Sequence, residues 1–338
     1  MSKGKKAKIL IVGFGNVGHS VLQALPEYSD MECIGIVTRR PKVLAGKITD
    51  IPIFDMNGLV WRNCGADVAV LCGGSKSDLM TQGPMVAKCF NTVCSFDTHA
   101  KIGDILDSAT GKKTIGYYDL MNLASVQNGN TAMICQGWDP GVFSLMRALF
   151  NACLGKVRVY AFYGLSKKGG VSMGHSQAIR SIEGVLDARS YTHAIPEAIE
   201  WVRSGKNPDL KDGDMHWREN VVVAKEGADL KLIETQIATM PNYFAPFKTT
   251  VRFITQNEMD KEHTTLPHDG LVLAVSKHGI MEFGNTWSSN PRGTAGIMLP
   301  YVRAAIQMNK GGRYGAFTSL DVPVRMLLKK PGEFLSFV

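Results

Sequence analysis

Ala7-Lys-Ile-Leu-Ile-Val-Gly-Phe-Gly-Asn-Val-Gly18 is the stretch on which the reading of this chain turns. Its first half is an apolar run, the composition of a strand buried on both faces. The run breaks into Gly13-Phe14-Gly15-Asn16-Val17-Gly18, and His19-Ser-Val-Leu-Gln-Ala-Leu25 resumes with apolar residues at helical spacing. Strand, glycine turn and helix in that order make the dinucleotide fingerprint. The first glycine permits the turn, the second lets a pyrophosphate approach the backbone, and the third lets helix pack on strand. Working outward, a second apolar strand, Cys33-Ile-Gly-Ile-Val37, runs into Thr38-Arg39-Arg40. A third, Asp67 to Cys72, ends in Gly73-Gly74-Ser75, and Met80 to Cys89 reads as a helix leading to Asn91-Thr-Val-Cys94. Strands alternating with helices predict an α/β fold with a Rossmann-like parallel sheet covered on both faces.

After about Gly141 the pattern changes. Phe143 to Leu154 reads as a helix and Val157 to Tyr163 as a strand. Beyond them come the strand-like runs Asn220–Ala224, Thr249–Ile254 and Gly270–Val275, with a charged helical segment from Leu230 to Met240. This predicts a mixed, partly antiparallel α+β domain. Ser166–Ser172 and Gly205–Asp214 read as loops. Gly293–Asn309 reads as a helix, and Tyr314–Val322 returns to the first domain. The expected division is therefore residues 1–135 with 297–330 as the dinucleotide-binding domain, and 136–296 as a substrate-binding and dimerisation domain.

Composition excludes several classes. With 338 residues, 45% hydrophobic and 20% charged, the chain is neither disordered nor collagen-like. Its charge of +8 includes Lys3, Lys5, Lys6 and Lys8 at the very start, so the remainder calls for no nucleic-acid partner. The apolar run Ile9–Val12 stops at Gly13, too short for a signal-peptide core or membrane span, and no other window is long enough. All seven cysteines lie in the first half, with no Cys-x-x-Cys pair. That favours reduced thiols, no membrane association and a cytoplasmic location.

An NAD-selective site usually carries an acidic residue at the end of the second strand. Here Thr38, Arg39 and Arg40 offer a hydroxyl and two guanidinium forks, which suit a phosphate dianion, so NADP is the expected cofactor. The alternative is that the two arginines are a solvated surface pair. Gly73, Gly74 and Ser75 close the same sheet edge and form a second backbone wall. On the substrate side neither Gly-x-Ser-x-Gly nor His-Glu-x-x-His occurs. His263 and His268 flank Pro267 and cannot share a helix face, so no metal is expected. Two polar clusters follow apolar strand runs, Phe96-Asp97-Thr98-His99 and Gln136-Gly137-Trp138-Asp139-Pro140-Gly141. Asp97 and Asp139 read either as ligands for a cationic amine or as turn and helix caps.

These motifs carry a resemblance. Together with Gly174-His-Ser176, Thr239-Met-Pro-Asn-Tyr-Phe244, Glu262-His263, Leu266-Pro-His268 and Asn290-Pro291, in order from Ala7 to Leu328, the chain resembles the meso-diaminopimelate dehydrogenase family. The resemblance implies a homodimeric, NADP-dependent enzyme. It oxidises the D-configured carbon of meso-2,6-diaminopimelate to L-2-amino-6-oxopimelate and ammonia, reversibly. It places Asp97 and Asp139 at the substrate amines and reacting centre, Thr192, Arg218 and His268 at the distal carboxylate, and Asn290 nearby. It adds substrate contacts from Trp138, Tyr163, Met173 and Gly174, and cofactor contacts from Cys72, Ser95, Phe96, Gln136, Gly137, Pro140 and Gly141. A substrate with two carboxylates and two ammonium groups needs opposite charges at fixed distances, and Asp for amine with Arg or His for carboxylate is the matching chemistry.

The chain departs from the family pattern at Tyr163, at the basic insert Lys167-Lys-Gly-Gly170, at Met173, at Gln177 and at Cys94. A looser distal pocket and a broader D-amino-acid preference follow as an alternative expectation. A semialdehyde dehydrogenase using Cys135 as nucleophile and a non-catalytic NADPH-binding protein complete the alternatives.

Overall fold

The computed structural model describes residues 5–106, 111, 113–241 and 243–338. Lys3 of the basic tail and Asn242 of the Met-Pro-Asn-Tyr-Phe segment lie outside the described residues. In chain order the strands are β1 (Ala7–Val12), β2 (Met31–Thr38), β3 (Ile53–Asp55), β4 (Val68–Leu71), β5 (Asn91–Cys94), β6 (Ile105–Leu106), β7 (Lys113–Thr114), β8 (Thr131–Met133), β9 (Val159–Tyr163), β10 (Gly170–Val171), β11 (Val185–Ala194), β12 (His216–Ala224), β13 (Lys248–Phe253), β14 (His268–Ser276), β15 (Gly279–Trp287) and β16 (Gly315–Phe317). The chain divides into two compact units, Met1–Leu145 with Pro291–Val338, and Met146–Asn290.

The first unit is built on a seven-stranded sheet in the order β16-β8-β5-β4-β1-β2-β3, every pairing of which is parallel. β1 is an interior strand between β4 and β2, and Ile9, Leu10, Ile11 and Val12 are completely buried. Ile9 and Ile11 face one apolar layer, shared with Met298, Leu299, Val302 and Ala305 of the helix Asn290–Lys310. Leu10 and Val12 face the other, shared with Leu79, Val86, Tyr117 and Met121. A strand covered on both faces cannot alternate polar with apolar, so the sequence signal at β1 is continuous. Strand order runs outward from β1 in both directions, and the carboxyl ends of β1 and β4 form the switch point where such sheets take ligands. β16 lies parallel to β8, so the C-terminal segment completes the sheet. Residues 136–145 and 291–296 also lie in this unit. Gln136 N donates to Cys94 O at 2.8 Å, Ser319 Oγ to Gly141 O at 3.0 Å, and Arg292 Nη1 to Ser20 O at 3.2 Å.

The second unit contains a four-stranded sheet, β10-β11-β12-β13, and a three-stranded one, β15-β14-β9. β12 and β13 pair in parallel, and the remaining neighbours are antiparallel. Two expected loops contain short elements: β10 falls within Ser166–Ser172, and the helix Asp212–Met215 begins inside Gly205–Asp214. β11 and β15 escaped the sequence reading. β11 buries Ser190, Thr192 and His193 among apolar neighbours, and β15 has no fully buried residue to mark it. Among the described residues, no helix is long and apolar enough to cross a membrane.

Candidate active site

The three fingerprint glycines each answer a different spatial demand. Gly13 has φ +91°, and a Cβ there would lie 3.0 Å from Gly73 N. Gly18 presses its Cα against the turn, where a Cβ would come within 2.3 Å of Gly13 O. Around Gly15 nothing lies within 4 Å of an added Cβ, so its approach face is open. The helix Asn16–Ala24 that follows has no acidic residue in its first turn and no side-chain cap. Its first N–H groups and its positive dipole end are therefore free to receive an anion. Phe14 is buried, its ring 4.0 Å from that of His19.

At the end of β2, Thr38 is buried and its Oγ1 accepts from Arg40 N at 3.2 Å, while Arg39 and Arg40 are exposed. Arg39 pairs with Asp78, Nη1 to Oδ1 at 3.2 Å. At the end of β4, Cys72 is buried and its N–H donates to Val12 O at 2.7 Å. Gly74 N donates to Asp78 Oδ2 at 3.2 Å, which holds the Gly73-Gly74 turn in place.

At the end of β5, Asp97 N donates to Ser75 Oγ at 3.1 Å, joining two of the expected site segments. Asp97 is exposed at the surface, so a ligand can reach it. The surrounding protein nevertheless desolvates its carboxyl and raises its pKa, opposed by the Ser75 hydroxyl and His99. Phe96 turns its ring into the core, stacked 3.9 Å from Tyr117, which leaves only its backbone on the sheet edge. Gln136 is likewise fully buried; its Nε2 donates to Ile134 O at 3.0 Å. After it the chain makes a tight loop: Gly137 N donates to Pro140 O at 3.1 Å, and Phe143 N to Trp138 O at 2.9 Å. A Cβ on Gly141 would overlap Gly137 O at 1.9 Å, and one on Gly137 would meet Ser95 Cβ at 3.3 Å. Glycine is thus a packing requirement at 141 and a tight fit at 137, and the loop sets half-buried Asp139 at the same sheet edge, beyond β8. The Asp139–Pro140 peptide is cis.

Cys135 is buried, and burial, with the nearby Cys94 and Asp97, pushes its thiol pKa well above the ordinary range. A thiol held neutral at physiological pH is a poor nucleophile, which counts against the semialdehyde dehydrogenase alternative.

In the second unit, β11 and β12 put Thr192 opposite Arg218, and the guanidinium donates to Thr192 Oγ1. Both are buried, and the Arg218 guanidinium lies 4.1 Å above the Phe247 ring. Among the described residues no carboxylate forms an ion pair with Arg218, and its Nε is buried without a partner. Burial pushes the Arg218 pKa down to about 10, partly offset by Asp212 and Tyr163. Two histidines near it stay neutral. His216 is pushed down to about 4 and His175 to about 3, by burial first and the Arg218 charge second. Hydrogen bonding agrees for His216: Nε2 accepts from Tyr163 N at 3.0 Å and Nδ1 faces Asp212 O at 3.2 Å, which requires one protonated nitrogen. The result is a buried cation with no ion pair among the described residues, flanked by hydroxyl, aromatic and neutral imidazole groups. A buried guanidinium with an unsatisfied N–H favours an anionic partner.

Other expected residues converge on the same region of this unit. Gly170 pairs with Thr192, and a Cβ on Gly170 would lie 3.4 Å from His268 Nδ1. Asn290 Nδ2 donates to Val171 O at 3.3 Å. Met173 and Gly174 open the helix Met173–Arg180, capped by Ser172. The basic insert hangs from buried Asp269, whose two carboxylate oxygens accept from Leu165 N and Ser166 N, each at 2.9 Å. Sequence reasoning missed Asp78, His175, His216 and Phe247. A signal existed for His216, which precedes Arg218 by two on a strand and so shares its face. Among the described residues, no cluster of His, Cys, Asp and Glu is arranged to hold a metal.

A parallel sheet carrying a glycine fingerprint, with carboxylates along the same carboxyl edge, defines a Rossmann-like protein of the dinucleotide-binding class. Comparison with known proteins narrows the class. Residues 137–285 match the diaminopimelic acid dehydrogenase C-terminal domain. The meso-diaminopimelate D-dehydrogenase of Ureibacillus thermosphaericus is 42% identical over 336 residues, 98% of each chain. Among solved structures, the DAP dehydrogenase of Corynebacterium glutamicum in complex with DAP aligns with a TM-score of 0.87 at 34% identity, covering 99% of both chains. An engineered D-amino acid dehydrogenase bound to NADP+ aligns with a TM-score of 0.86 at 33% identity, covering 99% of this chain and all of the other. The chain belongs to the meso-diaminopimelate D-dehydrogenase family.

Proposed function

We propose that this enzyme catalyses the reversible NADP-dependent oxidative deamination of the D-centre of meso-2,6-diaminopimelate. The observation that carries the reading is Arg218, a buried cation bonded to Thr192 that forms no ion pair among the described residues and whose Nε has no partner. A substrate with a carboxylate far from its reacting amine supplies the missing charge. Thr192, Arg218 and His268 bind that distal carboxylate, with Asn290, Tyr163, Met173 and Gly174 of the same unit shaping the surroundings.

The first unit fits NADP. The open face of Gly15, the uncapped first turn of the helix Asn16–Ala24 and the Gly73-Gly74-Ser75 wall suit a pyrophosphate. Thr38, Arg39 and Arg40 suit a further phosphate. When bound, NADP supplies the hydride acceptor. Asp97 and Asp139 bind and orient the reacting amine. An ammonium must lose a proton before its nitrogen lone pair can assist loss of hydride from the α-carbon, and a carboxylate of raised pKa is suited to hold that proton. Hydrolysis of the resulting imine releases ammonia.

The test is NADP reduction by meso-diaminopimelate compared with D-lysine, D-alanine and the L,L isomer, repeated with NAD. Fast reduction by the meso substrate alone supports the reading. Equal rates on D-lysine favour the broader D-amino-acid dehydrogenase, and no reduction by any of them sinks both. Near-wild-type turnover in both Asp97→Ala and Asp139→Ala would remove these residues from the amine site. We also infer a homodimer in the cytoplasm from the family resemblance and from the seven free cysteines; light scattering on the purified protein tests the assembly.

A further inference from the structure

Arg39, read above as a ligand for the cofactor phosphate, is already engaged. Its Nη1 lies 3.2 Å from Asp78 Oδ1 and its Nη2 donates to Asp78 Oδ2 at 3.4 Å, a two-pronged pair. The same Oδ2 accepts from Gly74 N at 3.2 Å, and a Cβ on Gly73 would stand 3.0 Å from Asp78 Cβ. The Arg39 side chain is 65% exposed and that of Asp78 only 13%, so the acid is the anchor and the arginine the part held. One carboxylate therefore ties the residue after β2 to the turn after β4, the two strands that flank β1.

We infer that Asp78 is a positioning residue that sets the preference for NADP over NAD by holding Arg39 in its phosphate-reading orientation. This rests on the NADP reading proposed above. A guanidinium has five N–H donors in a rigid fork; two point at Asp78 and the others stay available to a phosphate. An exposed arginine left free surrenders rotamer freedom when it grips a phosphate, and a side chain already held by Asp78 surrenders less. The carboxylate also subtracts from the positive field at Arg39, but at this exposure solvent screens that effect. Because Asp78 also bonds the Gly74 backbone, the charge that reads the phosphate and the turn beside the glycine loop are set by one side chain.

The experiment measures Kd for NADP and for NAD by titration of the full-length protein, comparing wild type, Asp78→Asn, Arg39→Ala and the double variant. Asparagine keeps an oxygen for Gly74 N–H while removing the charge that holds Arg39. Asp78→Asn is expected to weaken NADP about tenfold and NAD by less than about twofold. Asp78→Glu should recover part of the loss, and Asp78→Asn should add nothing in the Arg39→Ala background. Tighter NADP binding by Asp78→Asn would show that Asp78 merely sequesters Arg39, and equal weakening of both nucleotides would show that it only supports the turn; either result overturns the inference. If Arg39→Ala itself leaves NADP affinity unchanged, the NADP reading fails, and this inference with it.

Discussion

Replacing Arg218 by methionine separates a substrate-binding role from a structural one. Burial lowers the Arg218 pKa from 12.5 to about 10, so the charged form is disfavoured in the ligand-free protein by about 3 kcal/mol. Thr192 and the Phe247 face offset part of this, but Nε has no partner. Methionine has similar reach, carries no charge and fits the aromatic surroundings. The ligand-free Arg218→Met protein should therefore melt at or above the wild-type temperature. The same substitution removes the buried cation that receives the distal carboxylate. The loss of about 3 kcal/mol or more raises KM for meso-diaminopimelate by about 100-fold or more. D-Lysine has no distal carboxylate, so its kcat/KM should change by less than about threefold. The assay is NADPH formation on both substrates beside thermal unfolding without ligand. An unchanged KM for meso-diaminopimelate, a parallel loss on D-lysine, or a fall in melting temperature would each refute the reasoning.

Other consequences can be checked separately. His216 is held at about 4 in the fold against an ordinary 6.5, so the unfolded chain takes up its proton first as pH falls. Its stabilising contribution is intact above pH 6.5 and should be lost between pH 6.5 and 4, by about 3 kcal/mol, read in urea melts as the difference from a His216→Gln variant. The loss should shrink in Arg218→Met, because the Arg218 charge is the second cause of the shift. Gly15→Ala should leave the melting temperature unchanged yet weaken NADP binding at least about tenfold, because its Cβ enters only the open approach face. Gly18→Ala should instead destabilise the fold by about 2 kcal/mol or more, since its Cβ would strike Gly13 O, and calorimetry distinguishes the two. Cys135→Ala should retain activity within about threefold, and iodoacetamide at pH 7 should not inactivate the enzyme by way of this thiol. Inactivation traced to Cys135 would revive the nucleophile reading.

Legibility in the sequence followed the physics of burial. β1, β2 and β4 read clearly because a parallel sheet covered on both faces gives each strand a mostly apolar run without alternation. The return of the C-terminal segment was also visible, and it lies at β16 beside β8. β11 was not: Asp187, Arg189, Ser190, Thr192 and His193 break any apolar alternation, because Asp187 pairs with Arg180 and Arg189, His193 meets Glu219, and Thr192 stands opposite Arg218. Phe96 and Gln136 were named as cofactor contacts, yet their side chains serve the core. A motif identifies a backbone segment more reliably than the direction in which each of its side chains points.

From the sequence alone came the α/β class, the glycine turn, the arginines that suit a phosphate and the family to which the chain belongs. These are properties of contiguous residues, where strand period, turn chemistry and residue type act locally. Only the tertiary structure showed that Arg218 is buried beside Thr192 with no ion pair among the described residues, that His175 and His216 stay neutral near it, and that Asp78 holds both Arg39 and the Gly74 turn. Desolvation and charge pairing depend on distances between residues far apart in the chain. Those distances exist only once β11 has paired with β12 and the ends of β2 and β4 have come to one edge of the sheet.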